Sequence, residues 1–91
     1  MDFEYDPRKS ELNRSKHGID FEEAQALWED ADAFEVPSNY DGEDRFLVIG
    51  EIGTTGWTAI FTRRDETVRI ISVRRSRSYE VNAYDNRRRI G

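Results

Sequence analysis

Cysteine is absent from all 91 residues. That excludes a disulfide framework, a thiolate nucleophile and a Cys-based zinc site, and it fits a reducing compartment. One histidine, His17, leaves no imidazole pair. The carboxylates Asp41, Glu43 and Asp44 lack EF-hand spacing, so neither a metal nor any other cofactor is expected. No run approaches the roughly 18 apolar residues of a membrane span, and the acidic start Met1-Asp2-Phe3-Glu4 has no apolar leader. These absences predict a soluble, cytoplasmic protein with no membrane partner. Repeats, linkers and low-complexity stretches are missing too, so residues 1–91 read as a single domain. A domain this small buries only about 60 to 65% of its unfolded surface, and its core must be economical.

Lysine is missing from the second half, and charge is divided unevenly along the chain. The net charge of −5 argues at first sight against nucleic acid. Residues 1–44, however, hold 4 Lys/Arg against 14 Asp/Glu, whereas residues 45–91 hold 10 against 5. The chain is therefore an acidic half followed by a basic half. Every cation of the basic half is arginine, whose planar fork binds phosphate bidentately and stacks on bases. Arginines also solvate strand edges, but nine of them between Arg63 and Arg89 strain that explanation.

The periodicity predicts an α+β fold: two N-terminal helices, an antiparallel meander of about four strands with a short N-terminal strand besides, and a C-terminal helix. Phe3-Glu4-Tyr5 alternates as a strand. Asp6-Pro7 reads as N-cap and N1 of a helix reaching about Lys16, with Gly18 beyond its end and Lys16 and His17 in its last turn. Asp20 and Glu23 form an aspartate capping box for a second helix, whose apolar stripe is Phe21, Ala24, Leu27, Trp28 and Ala31. The period then drops to two. A strand over 33–36 should stop at Pro37, Ser38 to Gly42 should turn, and 45–52 should form the next strand. Gly53-Thr54-Thr55-Gly56 closes a hairpin into 57–62, Arg63 to Glu66 turn again, and 67–73 is the last strand. A terminal helix capped by Ser76 or Ser78 should reach about Arg88. Short turns make consecutive strands antiparallel neighbours. Trp57 and Tyr40 read as exposed aromatics suited to a dimer or partner surface.

The most informative stretch is Arg69-Ile70-Ile71-Ser72-Val73-Arg74-Arg75, followed by Glu80 and Tyr84. A strand that carries guanidiniums up to a helix N-terminus gathers fixed donors where a phosphate would sit.

Phe3-x-Tyr5-Asp6, Asn13, Lys16-His17-Gly18, Phe21-x-x-Ala24, Arg45, Gly50, Thr62-Arg63, Arg69 to Arg74, Glu80 and Tyr84, taken in order, resemble a BrnT-type toxin over almost the whole chain. Tyr5 stands where such toxins usually carry tryptophan, and Arg77 where a threonine usually caps the last helix. The resemblance implies a RelE-like ribonuclease fold and the toxin half of a type II toxin–antitoxin pair. It further implies action on RNA that stops translation, and inhibition by a ribbon-helix-helix antitoxin (BrnA-like) that also binds the operon's DNA. Operator DNA would then be met only through the antitoxin, and a homodimer within the complex is compatible.

Metal-free RNA cleavage needs attack by the substrate's own 2′-OH, a base, an acid and cations for the phosphorane. Arg63, Arg69 and Arg74 are the candidates for phosphate binding and transition-state stabilisation, with Arg75, Arg77 and Lys16 as further RNA contacts. Glu80 or His17 would be the base, and Tyr84 the proton donor or a stacking platform. Each residue has a plainer reading. Glu80 is a first-turn carboxylate salt-bridged to Arg74, Tyr84 a core aromatic with its hydroxyl at the surface, His17 a helix-end cation, and Arg69 the partner of a carboxylate from the second helix. The alternative function is a non-catalytic interaction domain that binds an antitoxin-like partner and tunes its DNA binding. The nuclease reading expects the guanidiniums of the later strands and the terminal segment to converge in one pocket, and it loses its footing if they are splayed apart in separate carboxylate pairs.

Overall fold

Asp6 accepts from the Arg8 amide at 2.9 Å, Pro7 occupies the first turn, and Gly18 ends the helix in the left-handed region at φ 83. These signals set the limits of α1 (Pro7–His17), as the sequence predicts. The structure, a computed structural model, describes residues 1–40 and 43–90. Of the turn read over Ser38 to Gly42, Ser38 to Tyr40 belong instead to a strand, while Asp41-Gly42 and the side chains of Asn39, Tyr40 and Glu43 lie outside the described residues.

α1 has almost no apolar face, and its buried residues are Ser10 and Asn13. It docks through hydrogen bonds instead. Ser10 Oγ accepts from the Phe21 amide at 2.9 Å. Asn13 donates to the Ile19 carbonyl at 2.8 Å and accepts from the Val73 amide at 3.1 Å.

Both arms of the Asp20–Glu23 capping box form, at 2.7 and 3.1 Å. The helix they start is shorter than expected. α2 (Phe21–Ala24) passes into a 3-10 segment, Gln25–Glu29. Three residues per turn keep Ala24 and Leu27 on one buried side and leave Ala31 exposed beyond the end, so the predicted five-residue stripe is cut short.

β1 (Asp2–Glu4), β2 (Phe34–Tyr40), β3 (Glu43–Ile52), β4 (Thr55–Arg64) and β5 (Thr67–Arg75) form one mixed sheet in the order β1-β5-β4-β3-β2. The meander β2 to β5 is antiparallel as expected, while β1 closes the far edge parallel to β5. Several strand bounds need correction, and Thr55 and Gly56, read as turn, already belong to β4. Pro37 does not stop β2 but lies within it, opposite Phe46, because an outer strand has an open edge where a missing donor costs nothing. Arg63 and Arg64 belong to β4, and the turn shrinks to Asp65-Glu66, with Asp65 at φ 56. β5 continues to Arg75, and its register against β4 shifts between Ile60 and Phe61 so that Ile71 is skipped, a bulge that re-aims the strand.

One sheet face carries Val48, Ala59, Phe61, Val68, Ile70 and Val73. Ile19, Phe21, Ala24 and Leu27 cover them from the helix side, forming the core cluster. α3 (Ser78–Ile90) crosses the other face. Direct pairings place Phe34, Ile49, Thr58 and Arg74 in one cross-strand row there. The guanidinium of Arg87 stacks over Phe34 while Glu80 meets Thr58 and Arg74. Among the described residues, no helix is long and apolar enough to cross a membrane.

Candidate functional site

The first turn of α3 holds a buried carboxylate in a closed set of donors. Glu80 is 1% exposed and receives Arg74 bidentately, Nη1 to Oε1 at 2.7 Å and Nη2 to Oε2 at 3.0 Å. The Arg77 amide adds 2.8 Å and the Thr58 hydroxyl 3.1 Å, both to Oε1. Thr58 has one proton to give, so Ser76 donates to its oxygen across their 2.9 Å contact. Burial alone would push Glu80 upward, but the guanidinium of Arg74 and the amide of Arg77 outweigh it and hold the carboxyl below the usual carboxylate range. Glu80 in turn keeps Arg74 charged.

Local sequence explains the arrangement. Glu80 stands three residues after Arg77 and reaches back to its amide, the N3 half of a capping box. Arg77 has no side-chain acceptor for the other half. Neither predicted cap serves α3, since Ser76 is bonded to Thr58 and Ser78 is already the first helical residue.

Tyr84 is 4% exposed and donates to Asp30 Oδ2 at 2.7 Å. Burial, reinforced by the Asp30 carboxylate, pushes its phenol well above the ordinary value. The hydroxyl lies in an internal bond rather than at the surface. Asp30 also accepts from the Glu51 and Asp32 amides. These bonds hold it below its ordinary value against the opposing effect of burial.

The remaining predicted residues divide between the two sides of the sheet. Arg69 pairs across with Thr62 and Arg74 with Thr58, and these two threonines share a face of β4. Arg63 and Arg75 point to the opposite face. Arg63 lies over the Phe46 and Phe61 rings at 5.4 and 5.2 Å and pairs with Glu35 at 2.7 Å. Arg75 lies over Trp57 at 5.6 Å. Trp57 is therefore half-buried against the core, not the exposed aromatic expected. Arg69 meets Glu4 of β1 at 3.9 Å, and not a carboxylate of the second helix. His17 and Lys16 are in the last turn of α1 and make no hydrogen bond or ion pair with Arg69, Arg74 or Glu80.

The structure thus brings together Arg74, Glu80 and Arg77, sets Arg69 on the same face, and separates the others. A single pocket of guanidiniums is not formed, because strand alternation sends neighbouring arginines to opposite faces. What the face opposite the core offers is an open surface beside α3. Its next cross-strand rows are Val36, Leu47, Ile60 and Ser72, then Ser38, Arg45, Thr62 and Arg69. Arg45 is the member that sequence reasoning left out of the candidate site. Its signal was alternation with Phe46, which turns inward to Phe61. No group of side chains that would hold a metal ion occurs among the described residues.

Residues 5–80 match the family profile described as ribonuclease toxin, BrnT, of type II toxin–antitoxin system. The chain belongs to this family. A BrnT toxin is at the coarse level a ribonuclease with an antitoxin as partner. No curated protein matches the chain. The matched segment runs from Tyr5 to Glu80 and so includes β2 to β5 with the whole Arg74–Glu80–Thr58 network.

Proposed function

We propose that this BrnT toxin is a metal-independent endoribonuclease of RelE-like type, and that RNA lies on the open face of the sheet beside α3. The observation that carries the reading is the shared face of Arg69, Arg74 and Arg45. Thr58 and Thr62, the partners of Arg74 and Arg69, stand four residues apart on β4. That is roughly 13 Å at about 3.3 Å per residue. The two arginines therefore suit phosphates about two nucleotides apart on one strand rather than a clamp on a single phosphate.

In the reaction, the 2′-oxygen bonds to the adjacent phosphorus as the bond to the 5′-oxygen breaks. A 2′,3′-cyclic phosphate and a free 5′-hydroxyl result, and the proton of the 2′-OH ends on the leaving oxygen. Arg74 stabilises the phosphorane, and Glu80 positions Arg74. Both Glu80 oxygens are occupied by donors, which suits an orienting carboxylate better than a base. The Tyr84 proton is committed to Asp30, so Tyr84 serves as a support of α3. In this reading the toxin stops translation in the cytoplasm, and a ribbon-helix-helix antitoxin that binds operator DNA neutralises it.

A second reading, a non-catalytic domain that binds the antitoxin and tunes its DNA binding, is favoured by one observation. Arg63, Arg69 and Arg74 are each paired with a carboxylate, Glu35, Glu4 and Glu80, although Arg69 shares Glu4 with Arg64. Incubating the purified chain with a defined RNA in chelator, with and without ribosomes, separates the two. The nuclease yields 2′,3′-cyclic ends. Arg69→Gln lowers the yield about tenfold or more, whereas Arg63→Gln on the other face leaves it near wild type. No cleavage under either condition would leave the binding domain.

A further inference from the structure

On the helix side, between β1 and the 3-10 segment, lies a groove of about 450 Å³. Its floor is aromatic and its rim acidic: Phe3, Ala26 and Trp28 line it together with Glu22, Glu23 and Glu29. Trp28 is anchored edge-on to Phe3 at 5.1 Å and to Phe61 at 5.2 Å. Its Nε1 is the one buried side-chain polar atom without a hydrogen-bond partner among the described residues. Glu23 is engaged with the Asp20 amide. Glu22 and Glu29 are exposed and have no cation partner among the described residues.

We propose that this groove is where the antitoxin docks, by a basic segment that places a Lys or Arg between Glu22 and Glu29 over the aromatic floor. The inference rests on the toxin reading for the partner's character, since an antitoxin that binds DNA must itself carry cations. RNA is repelled by such a rim. A second copy of the chain is a poorer occupant. Its own net charge is −5, and of its C-terminal arginines, Arg87 and Arg88 are already held within the fold, over Phe34 and by Asp32 and Glu51. An aromatic floor under a carboxylate rim receives a guanidinium or ammonium by charge and by its ring face together.

The test uses the full chain with its cognate antitoxin, titrated across a range of salt, alongside thermal melts of each variant. Wild type should bind in a salt-dependent way. Glu22→Lys with Glu29→Lys should weaken binding about a hundredfold, and Glu22→Gln with Glu29→Gln about tenfold with a flatter salt dependence. Trp28→Phe should weaken it severalfold while the melting curve stays cooperative. Unchanged antitoxin affinity in the charge-reversed chain overturns the proposal. So does loss of self-association in that chain with antitoxin binding intact, which would make the occupant a second copy. Binding is read without cleavage. A chain that fails to cut RNA yet loses its antitoxin on charge reversal therefore sinks the nuclease and keeps the groove.

Discussion

Glu80 is the side chain whose environment departs most from its sequence context. As one of a run of polar residues it looks solvent-facing, yet it is 1% exposed and receives four donor groups. Removing Arg74 would leave a buried anion uncompensated. Arg74→Gln should cost about 3 kcal/mol, measured by urea unfolding. The pH dependence has a defined sign. Glu80 and Asp30 are both held below their ordinary values, so their contribution is complete above the unfolded values near about 4. It is lost as pH falls through the lower folded values. Stability should be flat near neutrality and fall below about pH 4, and Glu80→Gln should make that fall shallower. An acid limb identical in the variant would refute the assignment. Gly50 makes a second point. A Cβ there would lie 2.9 Å from the Ala33 Cβ and 3.0 Å from Asp30 Oδ2, so Gly50→Ala should cost about 1 to 3 kcal/mol by overpacking.

α1 shows how an element with clear ends can hide how it is held. Asp6, Pro7 and Gly18 announce its limits, because capping chemistry is local. Its attachment is not local. Asn13 joins Ile19 and, across 60 positions, the Val73 amide. Asn13→Ala should cost about 2 to 3 kcal/mol by orphaning that buried amide, whereas Leu12→Ala, at a position 68% exposed, should change stability by less than about 0.5 kcal/mol. Equal losses in the two variants would show that α1 is not docked through Asn13. The elements misread were those whose neighbours decide them. Pro37 is tolerated because β2 is an outer strand, and the second helix tightens after Ala24 before the chain turns into β2.

The whole molecule uses its uneven charge internally as well as outwardly. Arg69 meets Glu4, Arg63 meets Glu35 and Arg88 meets Asp32, so cations of the second half find carboxylates of the first. These exposed pairs add little stability. Arg63→Gln and Arg69→Gln should each shift the unfolding free energy by less than about 1 kcal/mol. If the open face holds RNA, only Arg69→Gln should also weaken RNA binding and lower its salt dependence. A matched loss in Arg63→Gln would move the RNA to the other face.

The α+β class, the ends of α1, the capping box at Asp20, the antiparallel order of β2 to β5 and the resemblance to BrnT toxins were all legible in the chain, because each depends on residues near one another or on a pattern repeated along it. The Glu80–Arg74 salt bridge was also among the readings the chain offered, but the joining of β1 to β5, the depth at which Glu80 is buried and its bond to Thr58, and the division of the arginines between two faces were decided only by the folded sheet. Strand alternation separates side chains that are adjacent in the chain, and cross-strand pairing unites those that are far apart.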